Sequence, residues 1–180
     1  MFDPTIFDNL KVVFEGKLYD VEREAGILIV GREDIIDLAG YNRTFRMRVK
    51  PQDGSCIAEL QISSGLADFT GELRGIRIVD EEPGAELQLT FELPGEQAVH
   101  SHHVHEQLTA LWAESADIIH ERSYQLEPYG DATTSISAEP ADNGVYRIRA
   151  KFRQKVNESH IDDIDSLIDH VLKSIEALES

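Results

Sequence analysis

An α+β fold with a predominantly antiparallel sheet, packed by a central helix and a C-terminal helix, follows from three features of this sequence. Short segments in which apolar and polar residues alternate recur along the chain, separated by turn residues, which is the pattern of half-buried strands joined as hairpins. Two stretches, about His102 to Arg122 and about Ser159 to Leu178, place apolar residues three and four apart, as helices docked on a core do. Strands follow strands with few strand–helix–strand units, which favours an antiparallel sheet covered by helices on one face. No repeat, low-complexity linker or shift in composition divides the chain, so residues 1–180 are read as a single domain.

In chain order, Asp3-Pro4 is a helix start, because the carboxylate caps free amides and proline at the first helical position loses no hydrogen bond. Ile6, Phe7, Leu10, Val13 and Phe14 keep helical spacing as far as Gly16, which is the expected stop. Lys17 to Arg23 and Gly26 to Val30 are expected to pair as strands, followed by a short helix from Glu33 to Ala39. Phe45, Met47 and Val49 alternate with Arg46, Arg48 and Lys50, then a turn at Pro51-Gln52-Asp53-Gly54 leads to Cys56, Ala58, Leu60 and Ile62 at alternate positions. A helical turn is placed around Leu66 to Leu73, and a hairpin pairs Ile76 to Asp80 with Glu86 to Leu93. The central helix draws its apolar arc from Val104, Leu108, Leu111, Trp112, Ile118 and Ile119. Ser123 to Glu127 starts a short strand, and Thr133 to Ala138 pairs with Val145 to Gln154. In the latter strand Tyr146, Ile148, Ala150 and Phe152 face inward. The last helix opens on a Ser159-x-x-Asp162 cap, and its stripe of Ile161, Ile164, Ile168, Val171, Ile175 and Leu178 fits core packing better than a dimer seam.

Composition narrows the function classes. A chain of 180 residues, 41% hydrophobic and 28% charged, is able to bury roughly 70% of its unfolded surface. Its net charge of −17 opposes binding to nucleic-acid backbone or to an anionic membrane surface. The opening MFDPTIFDNLKVVFEG has no basic segment ahead of an apolar run, and no later run reaches membrane-spanning length, so the expected location is the cytoplasm. Cys56 is the sole cysteine and has no intramolecular partner, in keeping with a reducing compartment.

Two groups of residues point to chemistry or binding. His100, His102, His103 and His105 crowd the start of the central helix, and neutral imidazole is a common ligand for zinc, nickel and copper. On a helix His102 and His105 share a face, with Glu106 one turn beyond His102, so these three are the candidate metal ligands. On a continuous helix His120 would lie ~27 Å further along the axis and outside any such site. The histidine and glutamate pattern of helical zinc proteases is absent, because His105-Glu106 is followed by Gln107, Leu108 and Thr109. The second group is the outward side of two strands, Arg46, Arg48 and Lys50 with Arg147, Arg149, Lys151 and Arg153. Placed side by side they would make a cationic surface for an anionic ligand or an acidic partner. Interleaved with Glu59, Glu86 and Glu92 they would make cross-strand ion pairs instead.

No glycine-rich phosphate loop or nucleophile elbow is present, and Cys56 belongs to the buried side of a strand. The leading expectation is an acidic, non-enzymatic binding or accessory protein that engages another protein or a second copy of itself. The alternatives are a metal-dependent hydrolase built on the His100 to His105 cluster, and a sensor of a small anionic ligand on the basic sheet face. Nucleic acid and membrane are not expected partners.

Overall fold

The computed structural model describes residues 5–74, 84–112, 114–123 and 144–180. Helix α1 (Thr5–Glu24) is followed by strands β1 (Ile27–Asp37), β2 (Asn42–Pro51) and β3 (Ile57–Ser64), helix α2 (Leu66–Arg74) and strand β4 (Glu86–Pro94). A 3-10 turn (Gly95–His100) leads into helix α3 (Ser101–Trp112), then come strands β5 (Ala116–Ser123) and β6 (Val145–Phe152). A second 3-10 turn (Glu158–Asp163) opens helix α4 (Ile164–Glu179). The six described strands pair antiparallel in the order β1-β2-β3-β4-β6-β5, so the expected α+β fold with an antiparallel sheet is the fold of the chain.

Alternation decides which side of the sheet is core. Phe45, Met47 and Val49 of β2 stand opposite Ile62, Leu60 and Ala58 of β3, and all six side chains are buried. Leu87, Leu89, Phe91 and Leu93 of β4 and Tyr146, Ile148 and Ala150 of β6 continue the same layer. Onto it pack Phe7, Leu10, Phe14 and Leu18 of α1, Val104, Leu108 and Trp112 of α3, and Ile164, Ile168, Val171, Ile175 and Leu178 of α4. Leu111 and Phe152, expected in the core, are only partly buried. Trp112 Nε1 donates to the buried Ser174 Oγ at 3.0 Å and so ties α3 to α4.

Three of the local expectations fail for a non-local reason. Helix α1 runs through Gly16, and Lys17 to Arg23 is helix rather than strand. A glycine inside a helix costs about 1 kcal/mol, and burial of Phe14 and Leu18 on either side of it outweighs that. The stop falls at Gly26, whose φ of +64° suits glycine, after Ala25 N–H has bonded to Val21 O. Glu33 to Asp37 is strand, not helix, because β2 supplies its ladder through pairs such as Glu33 with Arg46 and Asp34 with Phe45. The central helix ends at Trp112, ten residues short of expectation, and Ala116 to Ser123 pairs with β6 as the edge strand β5. Its Ala116 and Ile118 point to the core while Asp117 and Ile119 point away, so the spacing there is two, not three and four.

The last helix also starts differently. Ser159 lies within the 3-10 turn before α4, and that turn is capped by Asn157, which accepts from Ser159 N–H at 3.0 Å while His160 Nδ1 accepts from Asn157 N–H. Helix α4 itself begins after Asp163, which makes no side-chain cap hydrogen bond. Gly95 donates to Gly144 O at 2.8 Å, and a Cβ on Gly95 would meet the Gly144 backbone at 2.7 Å, so only glycine lets the turn before α3 lie on the start of β6. Residues Asp3 and Pro4, the expected strands Ile76 to Asp80 and Thr133 to Ala138, and the end of the strand expected at Ser123 to Glu127 lie outside the described residues. Both sides of β4 are paired, with β3 and β6, and both sides of β6, with β4 and β5. Among the described residues no helix is long and apolar enough to cross a membrane.

Candidate functional site

Helices α1, α3 and α4 pack on one face of the sheet, and the alternation that buries Met47, Leu60, Phe91 and Ile148 turns charged side chains out on the other. The two basic strands are not neighbours there, since β3 and β4 lie between β2 and β6. Their cations are joined by carboxylates. Glu92 of β4 is clasped from both sides: Oε2 accepts from Arg48 Nη2 at 2.7 Å, and Oε1 accepts from Arg147 Nη2 at 2.6 Å and from its Nε at 3.0 Å. Arg149 pairs with Glu121, Arg153 with Asp117 at 2.6 Å, Arg46 with Glu33 at 3.5 Å and Lys151 with Glu86 at 3.9 Å. Lys50 stands opposite Leu28 of β1. The side chains hold one another so closely that Glu92 keeps 24% of its surface and Arg48 38%, with none of the described helices above them. Among the described residues, Arg48 Nε and Arg149 Nε are enclosed without a hydrogen-bond acceptor.

This lattice concentrates much of the chain's small supply of cations, 17 Lys and Arg against 34 Asp and Glu, on one surface. Local charge there is near balance. The excess of carboxylates lies elsewhere on the molecule.

The four histidines at the start of α3 divide among three places. His102 Nδ1 is 3.7 Å from Glu106 Oε1, with both side chains largely in solvent. His100 and His103 line an open cleft of about 440 Å³ against Leu178 at the end of α4. His105 turns toward β5, where its Nδ1 is 3.0 Å from His120 Nε2, and His120 Nδ1 is in turn 2.6 Å from Tyr146 Oη. The His120 and Tyr146 rings are stacked at 16°. Burial, and secondly the neighbouring His105, hold the His120 imidazole below its ordinary pKa, and burial pushes the Tyr146 phenol up to about 12. Among the described residues no three His, Cys, Asp or Glu side chains gather to hold a metal ion, so His102, His105 and Glu106 do not make a three-ligand set.

A helix over Ala116 to Arg122 would carry His120 away from His105, so helical spacing does not bring His105, His120 and Tyr146 together. The available signal was the two-residue spacing of Ala116, Ile118 and His120 on one side against Asp117, Ile119 and Glu121 on the other. Cys56 is buried and its thiol is pushed up to about 12, first by burial and then by the Glu179 charge, which suits a packing role. Comparison with known protein families, curated proteins and solved structures finds no match.

Proposed function

We propose that this chain is a non-enzymatic binding protein that presents the uncovered face of its sheet to another protein chain. The observation that carries this reading is the lattice centred on Glu92, in which Arg48 and Arg147 are already held in place on a face that none of the described helices occupies. Ordered arginines surrender little rotamer entropy when a partner arrives, and arginine is among the residues enriched in interface hot spots. Near-balanced local charge lets a protein surface approach a molecule of net charge −17 without facing its full repulsion. A partner with both signs of charge in complementary rows would exchange some of these internal pairs for intermolecular ones, and its association would slow as salt is added.

The test compares the wild-type chain with Arg147→Glu plus Arg149→Glu, both shown to be folded by circular dichroism, in sedimentation equilibrium and as paired baits. Self-association, or a partner retained in proportion to bait, that is lost in the variant supports the reading. A second variant, Arg149→Glu with Glu121→Arg, keeps that ion pair with its signs exchanged and should also lose the partner while retaining stability. A monomer whose bound proteins are the same for all three baits would end the proposal.

A further inference from the structure

We propose that Nδ1 of His105 and Nε2 of His120 form a binding site for a divalent ion of the copper, nickel and zinc group, completed by water. The two nitrogens come from different elements, α3 and β5, and meet at 3.0 Å. Each element is fixed independently, α3 by buried Val104, Leu108 and Trp112 and β5 by its ladder with β6. The exposed His105 keeps the pair open to an ion from solution, while Tyr146 Oη at 2.6 Å occupies the other nitrogen of His120 and orients its ring. A ligating histidine is typically held through its second nitrogen in this way.

Two nitrogens each ~2.0 to 2.1 Å from one ion stand about 2.9 Å apart at a right angle and about 3.3 Å apart at the tetrahedral angle. The 3.0 Å separation is close to both, so little movement admits an ion. Cu²⁺ heads the affinity order for nitrogen sites and is the ion expected to bind tightest. Protons balance without release into solution. At 3.0 Å one of the two facing nitrogens carries the proton of their hydrogen bond in the free protein. When the ion takes both lone pairs, that proton passes to the second nitrogen of the same ring, so that His105 Nε2 carries one proton toward water and His120 Nδ1 carries the other toward Tyr146 Oη. A small rotation of the exposed His105 side chain turns its lone pair from His120 toward the shared ion.

The untagged chain, purified without chelator, is titrated with Cu²⁺, Ni²⁺ and Zn²⁺ separately at about pH 7.5, where imidazole is ordinarily neutral. The expected result is one ion per chain, copper tightest, with a copper EPR spectrum showing two nitrogen ligands. His105→Asn and His120→Asn should each weaken copper binding more than tenfold, and Tyr146→Phe about tenfold. His102→Asn should leave it unchanged. His105 is exposed, so its variant carries the test even where His120→Asn fails to fold. No saturable binding by any of the three ions, binding that persists in His105→Asn, or binding lost in His102→Asn would each overturn the assignment.

Discussion

His120 sits with its Nε2 3.0 Å from Nδ1 of His105, and burial together with that neighbour holds its imidazole below the ordinary value of 6.5. The unfolded chain therefore takes up a proton that the folded chain resists, and stability rises with pH across this window. The contribution of His120 is complete above 6.5 and is lost as pH falls from there through the folded value. The thermal midpoint should drop over that interval. In His120→Asn the same scan should show a shallower drop; an unchanged slope would remove His120 as the cause.

A second window lies lower. Arg43 and then Lys11, both hydrogen-bonded to Asp34, hold its carboxyl at about 2 against an ordinary 3.8. Its stabilising contribution is present above 3.8 and is lost as pH falls toward 2. Arg43 also reaches Asp8 at 2.8 Å, so this cluster fastens α1 to the β1–β2 hairpin. Asp34→Asn should lower stability at neutral pH and flatten the acid limb, as followed by circular dichroism against pH.

The Trp112 to Ser174 hydrogen bond gives a third expectation. Ser174 is fully buried, and its own hydroxyl donates to His170 O at 2.8 Å. Ser174→Ala leaves the indole N–H without its acceptor, which should cost about 1 to 3 kcal/mol in urea unfolding. A loss below ~0.5 kcal/mol would mean that the α3–α4 contact rests on packing alone.

Core truncations should separate two residues that look alike in sequence. Phe91 is completely buried, so Phe91→Ala should destabilise by about 3 to 5 kcal/mol. Leu111 is only partly buried at the rim of α3, so Leu111→Ala should cost clearly less than the ~2 to 5 kcal/mol of a buried leucine. Equal losses from denaturant midpoints would contradict this placement of Leu111.

Much of the sheet was legible without coordinates. Phe45 to Val49 with Cys56 to Ile62, Leu87 to Leu93 and Tyr146 to Phe152 were all read as strands with the correct inward side, because each has a buried face that forces alternation. The carboxylates that join the basic strands were visible as one of two arrangements, and strand order selected it. The histidine chain was not legible, since it depends on where α3 ends. Tyr146 was placed inward from sequence, yet nothing local linked its hydroxyl to His120.

The sequence by itself determined the α+β class, four of the six strands, the amphipathic last helix and the acidic surface, all properties of local spacing or composition. Only the tertiary structure decided the helical path of α1 through Gly16, the strand character of Glu33 to Asp37, the turn after Trp112 and the order β1-β2-β3-β4-β6-β5. Each of those depends on a partner distant in the chain. An edge strand such as β1, largely exposed, shows little apolar alternation, and where a stripe runs from a helix into the strand after it, the short two-residue spacing of the strand is outweighed until β6 supplies the ladder. The same reversal brings His120 to His105.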